Sequence, residues 1–204
     1  YKRQVMGYTL ISRQKVDFLN TPVTQLDFTI NADYDEIFFT ITGFKSTTDE
    51  RSCGYQFITS GASGYDREIQ STVWGQWLYA YDYSHGTTSY EHAWDSDVGE
   101  ASSSSTQFAR VTMGGDTHKA HSAASGELVI YKPADTSFYK YFLSEAGNFN
   151  AHVSDFQQYQ QAMRTAGYVK ETAALTGIRF VSCNYAGDQD ANIAYVDIGM
   201  YGLS

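Results

Sequence analysis

The residues of this chain whose types and spacing could bind a metal ion lie at positions 188–192. Asp188, Asp190 and Asn192 place side-chain oxygens at alternate positions, as the first half of a calcium-binding loop does. Ile193 then stands where such a loop needs a turn glycine, and Gly199 stands where it needs a bidentate glutamate. We therefore expect a polar hairpin turn ahead of the last strand, with a bound cation as the alternative.

The histidines offer a second, weaker set of metal ligands. His118 and His121 could place two imidazoles on one face of a helical turn, but no neighbouring residue supplies the third ligand that a metal needs. Asp95 and Asp97 form a weaker candidate still. The remaining histidines are expected on the surface or in loops: His85, His92 and His152. The sequence predicts no metal and no cofactor.

Catalytic motifs are missing from the sequence. The segment 61–64 (Gly-Ala-Ser-Gly) predicts a turn and lacks the spacing of a nucleophile elbow. Two carboxylates that cleave a glycosidic bond could still converge from distant strands, although no local pattern marks them. We expect a protein that is not an enzyme, with no catalytic residues.

An aromatic cluster is the best candidate for binding. Period-2 alternation in a strand would place Tyr79, Tyr81 and Tyr83 on the same face as Trp77. Exposed rings of this kind stack on sugars or anchor protein interfaces, whereas buried ones would fill a sandwich core. The candidate interface or glycan contacts are Trp74, Trp77, Trp94, Tyr79, Tyr81, Tyr83 and Tyr90. Trp94 lies in a polar segment and is the one we expect to be most exposed.

Composition indicates which elements must position these residues. The 204-residue chain contains 17 Tyr and 12 Phe, and only 18% of its residues are charged, which favours strands over long salt-bridged helices. The net charge of -9 excludes a protein that holds nucleic acid by its phosphates. No apolar run of the length that spans a bilayer occurs, so we expect no membrane insertion.

The two cysteines and the start of the chain give further expectations. Cys53 and Cys183 lie outside any Cys-x-x-Cys or Cys/His spacing, which argues against a zinc site. We expect two separate buried thiols, with a single disulfide as the alternative. No signal peptide is visible, and the chain starts at Tyr1 rather than Met, which is expected of a processed or incomplete N-terminus.

Alternating hydrophobicity predicts about eight or more strands, separated by turn signals. This pattern predicts an all-β fold: one antiparallel β-sandwich domain over residues 1–204, of jelly-roll type. Residues 82–124 show little periodicity and are expected to form a long polar loop that could serve as a contact surface. Residues 157–163 could start a short helix instead of continuing a strand. The predicted strands are 9–13, 25–30, 36–44, 55–59, 69–83, 126–131, 138–143, 149–159, 177–183 and 193–201.

Several blocks carry a resemblance to a known family. They comprise Tyr-Asp-Glu-Ile-Phe at 34–38, Ser-Gly-Glu-Leu at 125–128 with the turn 132–137 and Lys140, and Gly-Ile-Arg-Phe at 177–180 with the terminal strand. In these blocks the chain resembles structural proteins of tailed bacteriophages, especially phages of marine bacteria. Lys132 departs from the family pattern, which usually has Asn there, and residues 148–172 look divergent.

The resemblance implies a β-framework and a place in a virion, and it transfers no catalytic residue. We expect a structural protein on the particle exterior, as a capsid decoration or a tail fibre component, made in the host cytoplasm. Its expected partners are other virion proteins and further copies of itself, joined through edge strands or the segment 82–124. The alternative is a carbohydrate-binding or host-receptor-binding module of a phage tail, in which Trp74, Trp77 or Trp94 stacks on a host surface glycan.

Overall fold

The backbone of the described residues consists of β-strands and connecting turns. The computed structural model describes residues 7–17, 21–31, 33–48, 51–80, 88–91, 100–101, 108–112, 122–151, 158–184 and 187–204; only the backbone is described at 73–80, 88–91, 100–101, 149–151 and 158–160. Within these ranges there is no helix. The strands are β1 Thr9–Val16, β2 Gln25–Thr29, β3 Glu36–Ser46, β4 Ser52–Thr59, β5 Ile69–Ala80, β6 Thr88–Glu91, β7 Glu100–Ala101, β8 Ala109–Arg110, β9 Ala123–Tyr131, β10 Lys140–Ala151, β11 Gln158–Val169, β12 Leu175–Cys183, β13 Gln189–Ala191 and β14 Ile193–Leu203.

The strands form two antiparallel sheets. The larger has nine strands in the order β1-β14-β3-β9-β10-β11-β5-β6, with β7 also paired to β5. The smaller has five strands in the order β13-β12-β4-β8, with β2 also paired to β12. The inner faces of the two sheets share one hydrophobic core, so the predicted all-β sandwich is confirmed.

Two groups of aromatic rings join the sheets across this core. Phe39 of the large sheet meets Phe28 and Phe180 of the small sheet, with ring centroids 5.6 and 5.4 Å away. Phe142 of the large sheet meets Tyr55 of the small sheet edge to face at 5.6 Å, and it meets Phe57 at 6.1 Å with the ring planes tilted by 40°. Edge-to-face pairs of this kind add to the free energy of area burial. Part of the high Phe and Tyr content therefore forms contacts between the two sheets.

The strands predicted at 126–131 and 138–143 form a hairpin in the middle of the large sheet. β9 pairs with β3 on one side and with β10 on the other, and β10 pairs in turn with β11. The turn between β9 and β10 carries Lys132 at a left-handed φ of 47°. A buried cation anchors the start of β10: the Lys140 ammonium donates to the carbonyl oxygens of Phe138, Glu171 and Thr172.

The strand predicted at 149–159 is wrong. Residues 149–151 end β10 and residues 158–159 begin β11, so two antiparallel strands meet there. The helix considered at 157–163 is also wrong, because residues 158–163 are extended and pair with β10 and β5. Glutamine-rich sequence lacks a clear hydrophobic period, and two neighbouring strands supply the backbone partners that decide its conformation.

Three short strands, β6, β7 and β8, lie inside the segment 82–124, for which the sequence predicts a polar loop. The remainder of that segment up to Ser122 is outside the described residues, apart from 108 and 111–112. Within the described ranges no helix has the length and hydropathy needed to cross a bilayer.

Candidate functional site

Strand β10 presents large apolar side chains to solvent as well as to the core. Phe142 points into the core and is 1% exposed, whereas its neighbours Tyr141 and Leu143 are 56% and 45% exposed. A strand on the surface of a sandwich normally alternates apolar with polar residues. The departure from this alternation marks the outer face of the large sheet as a candidate binding surface.

The register of the large sheet extends this face into a row across five strands. Leu143 lies opposite Val129, Val129 opposite Phe38, Phe38 opposite Tyr201, and Tyr201 opposite Leu10. We call these five residues the apolar row.

The row is densely packed along its own length. The rings of Phe38 and Tyr201 lie 6.0 Å apart, and Tyr8 lies 5.1 Å from Phe38. Leu10, at the edge of the sheet, is 53% exposed. The apolar row therefore lies on the side of the sheet that faces away from the core, exposed at Leu10 and Leu143 and half-buried at Val129, Phe38 and Tyr201.

A shallow concavity of about 480 Å³ opens beside the row, over β9, β10, β11 and β5. We call it the tyrosine groove; its lining includes Tyr131, Tyr141, Tyr168, Leu143, Ala166 and Gln70. The small side chain of Ala166 lies opposite Leu143 in the register, which leaves a depression between taller neighbours.

Contacts between side chains order the walls of the tyrosine groove. Tyr139 stacks on Tyr168 with the planes 2° apart and the centroids at 5.5 Å, and Tyr141 lies 5.9 Å from Tyr168. The Tyr168 hydroxyl donates a hydrogen bond to Oε1 of Gln70. The rings are thus held by one another and by the sheet rather than extending singly into solvent.

The tyrosine groove is electrically neutral. Among the described residues that line it, none carries a charged side chain. Burial and then the negative charge of Glu36 raise the pKa of Tyr131, so its phenol stays protonated at neutral pH. The nearby Lys170 ammonium is paired with the Glu68 carboxylate at 2.8 Å. This surface can therefore offer ring faces, hydroxyls and an amide to a ligand, but no net charge.

The aromatic residues selected from the sequence are only partly placed. Trp74, Trp77 and Tyr79 lie in β5, and Tyr90 lies in β6, but their side chains are outside the described residues. The other three are outside entirely: Tyr81, Tyr83 and Trp94. A role for these seven residues in binding stays a prediction.

Sequence reasoning missed the tyrosine groove, although a signal for it was present. In residues 138–143 every residue except Lys140 is aromatic or aliphatic, so both alternating sets of positions are mostly apolar. Such a strand is either buried on both faces, or its outer face contacts a ligand or a partner. Tyr168 had no comparable signal, because only the β10–β11 register brings it beside Tyr141.

Most of the segment 188–192 is the short strand β13, which pairs with β12, so the turn expected there lies just before it and ends at Asp188. The Asp188 amide donates to Oδ1 of Asn184 at 3.0 Å, and Gly187 adopts a φ of 84°. The Asp190 carboxylate is occupied by Arg51, whose Nε lies 2.6 Å from it. A polar hollow of about 370 Å³ adjoins this turn and includes the hydroxyls of Thr47 and Thr48.

Within the described ranges, no three His, Cys, Asp or Glu side chains group as metal ligands would. The five histidines and the Asp95–Asp97 pair lie outside those ranges. Among the described residues, the carboxylate candidates therefore do not form a metal site, and the histidine candidates stay a prediction.

The two cysteines are free and buried on adjacent strands, so the expectation of separate thiols is confirmed. Cys53 belongs to the main core, whereas Cys183 packs with Phe108 and Val181 in a small second cluster. Burial raises the pKa of both thiols, that of Cys183 to about 12. Neither is activated as a nucleophile.

Comparison with known proteins found no relative of this chain. No protein-family model, curated protein or solved structure matches the chain.

Proposed function

We propose that this chain is a non-enzymatic structural protein on the exterior of a tailed-bacteriophage particle, either a capsid decoration or a component of a tail fibre. It works by binding copies of itself and other virion proteins. The observation that carries the proposal is the apolar row on the outer face of five strands of the large sheet, with exposed leucines at both ends and half-buried Val129, Phe38 and Tyr201 between them. Large exposed apolar patches are uncommon on monomeric proteins and mark interaction surfaces.

The order of the strands supports an assembly role. Along the chain, β1 to β4 alternate between the two sheets, within the orders β1-β14-β3-β9 of the large sheet and β2-β12-β4-β8 of the small sheet. From this order we infer an eight-stranded jelly roll that is extended at one edge of the large sheet by β10, β11, β5 and β6. Jelly rolls recur in viral capsid and lectin domains, although the fold alone does not fix a function.

Composition and resemblance support the same proposal. The blocks at 34–38, 125–128 and 177–180 resemble virion proteins of tailed phages. The net charge of -9 suits an exposed position on a particle and disfavours direct contact with packaged nucleic acid.

Self-association is tested by light scattering after size exclusion. We expect the purified chain to be an oligomer, and Leu10→Glu to shift it toward monomer because a carboxylate then faces the partner's apolar row. The matched control is Thr29→Glu, which adds the same charge at an exposed strand position of the small sheet and should leave the mass unchanged.

The virion role is tested by quantitative mass spectrometry of phage particles purified from the host that carries this gene. Hundreds of copies per particle would identify a capsid decoration, and a handful to tens would identify a tail appendage. A strict monomer that is also absent from particles would refute the proposal.

A second candidate function is carbohydrate binding at a phage tail. The tyrosine groove favours it, because Tyr131 and Tyr141 remain 37% and 56% exposed beside a concave surface. The two functions are compatible in one protein when the carbohydrate is a receptor on the host surface.

A further inference from the structure

We propose that the tyrosine groove binds a neutral oligosaccharide, with Tyr141 and Tyr168 as its principal contacts. This inference deepens the second candidate function and does not depend on the virion role. The site differs from the tryptophan cluster that the sequence indicates, and it lies over the extension of the large sheet.

The walls of the groove suit the two kinds of surface that a sugar ring presents. A pyranose has a face of C–H groups and a rim of hydroxyls. The rings of Tyr131 and Tyr141 and the side chain of Leu143 offer apolar surface to the C–H face. Phenolic hydroxyls at the same positions can exchange hydrogen bonds with the rim.

Gln70 supplies a directional group at the β5 side of the groove. Its Oε1 accepts a hydrogen bond from the Tyr168 hydroxyl, so its orientation is held and its Nε2 remains a donor. Small numbers of oriented polar groups within an apolar concavity are what confer specificity on ligand sites.

Charge selects a neutral ligand over an anionic one. The described lining contains no cationic side chain that could pair with a sulfate, a uronate or a phosphate. The Lys170 ammonium nearby is already paired with Glu68, and the whole chain carries a net charge of -9. An anionic ligand would therefore lose its hydration without gaining a counter-charge.

The dimensions and rigidity of the groove fit a short oligosaccharide. Its volume of about 480 Å³ lies within the range of about 300–1,000 Å³ that ligand sites occupy. Four neighbouring strands cover about 14 Å at the usual strand spacing. Because Tyr131, Tyr141 and Tyr168 stand on three adjacent paired strands, their spacing is set before the ligand arrives.

The test is a printed array of neutral, sialylated, sulfated and uronate-containing oligosaccharides, followed by calorimetry with the strongest soluble hit. We expect hits among neutral glycans. Tyr141→Ala and Tyr168→Ala should each weaken binding by about tenfold or more. Tyr141→Phe should retain most of the affinity, since the ring face remains.

Two further variants keep the test decisive. Ala166→Phe fills the depression without removing a ring, so it should abolish binding even where a tyrosine truncation proves unstable. Tyr8→Ala removes an exposed tyrosine from the same sheet outside the groove and should bind normally. Circular dichroism and the unfolding midpoint establish that each variant is folded.

Three outcomes would overturn the inference: no binding to any glycan, binding confined to anionic glycans, or unchanged affinity in both Tyr141→Ala and Ala166→Phe. None of them bears on particle mass spectrometry, which decides the virion role separately.

Discussion

At the scale of single residues, Lys132 carries a local strain that a substitution can release. Its φ of 47° is costly for a side chain with a Cβ atom, whereas Gly and Asn adopt it readily. The ion pair of Lys132 with Asp35 is well exposed, so it offsets little of the strain.

We predict that Lys132→Gly raises the free energy of unfolding by about 0.5–1 kcal/mol, measured by urea denaturation. Lys132→Asn should raise it by a smaller amount. Lys132→Ala serves as the control, because it loses the ion pair and keeps the Cβ atom, so it should not stabilise. Equal free energies of unfolding for Lys132→Gly and Lys132→Ala would contradict the inference that the backbone of Lys132 is strained.

The buried thiols of Cys53 and Cys183 lead to a prediction about reactivity and pH. At pH 8 neither should react with a thiol reagent in the folded protein, and both should react in denaturant, because the thiolate is the nucleophile. Their raised pKa values keep the folded thiols protonated while unfolded thiols ionise near pH 8.5. Stability is therefore complete below that pH and declines above it.

The double variant Cys53→Ala with Cys183→Ala should lose this alkaline decline between pH 8.5 and 10. Rapid modification of either thiol in the native protein would contradict the assigned burial. Both measurements use ordinary absorbance and denaturation assays.

At the scale of elements, β1 is the edge strand of the large sheet and pairs only with β14 among the described strands. The Arg13 guanidinium on β1 donates hydrogen bonds to both carboxylate oxygens of Asp197 on β14, which links the edge strand to its neighbour. This contact lowers the pKa of Asp197. The stability that this ion pair contributes is therefore complete above the usual pKa of a carboxyl group. It is lost as the pH falls through the lowered pKa of Asp197.

We predict that Asp197→Asn speeds amide hydrogen exchange at pH 7 in β1 more than in β3 or β9. The matched control is Glu145→Gln, which breaks an exposed ion pair with Arg164 between two interior strands. That control should leave exchange in β1 unchanged. Equal exchange in β1 for Asp197→Asn and the native chain would show that backbone pairing alone holds the edge.

At the scale of the whole molecule, stability depends on the contact between the sheets. We predict that Phe142→Ala costs about 3–5 kcal/mol in the free energy of unfolding, because it empties the space against Tyr55 and Phe57. Leu143→Ala, one residue along the same strand, should cost about 0.5 kcal/mol because that side chain faces solvent. Similar losses for both variants would contradict the assignment of core and outer face.

Prediction from sequence succeeded where the pattern was local. The alternation of Ile37, Phe39 and Ile41 identified β3 and its inner face, and all three side chains are buried. It failed for residues 149–151 and 158–163, where glutamine and alanine give no hydrophobic period and where pairing with neighbouring strands decides the extended conformation. The sequence signalled an apolar outer face at 138–143, but it could not predict the other walls of the tyrosine groove, because Tyr131 and Tyr168 come beside this face only when β9 and β11 pair with β10.

The sequence by itself determined that this protein is an all-β sandwich, because alternation and turn residues are local properties of the chain, whereas the burial of the two free cysteines came from the structure. Only the tertiary structure decided which strands are neighbours, and therefore which exposed side chains join into the apolar row and the tyrosine groove. The physical reason is that residues 138–143 are aromatic or aliphatic in both alternating sets, apart from Lys140. Local pattern then cannot tell core from surface, and packing against the second sheet makes that choice for Phe142 and leaves Tyr141 outside.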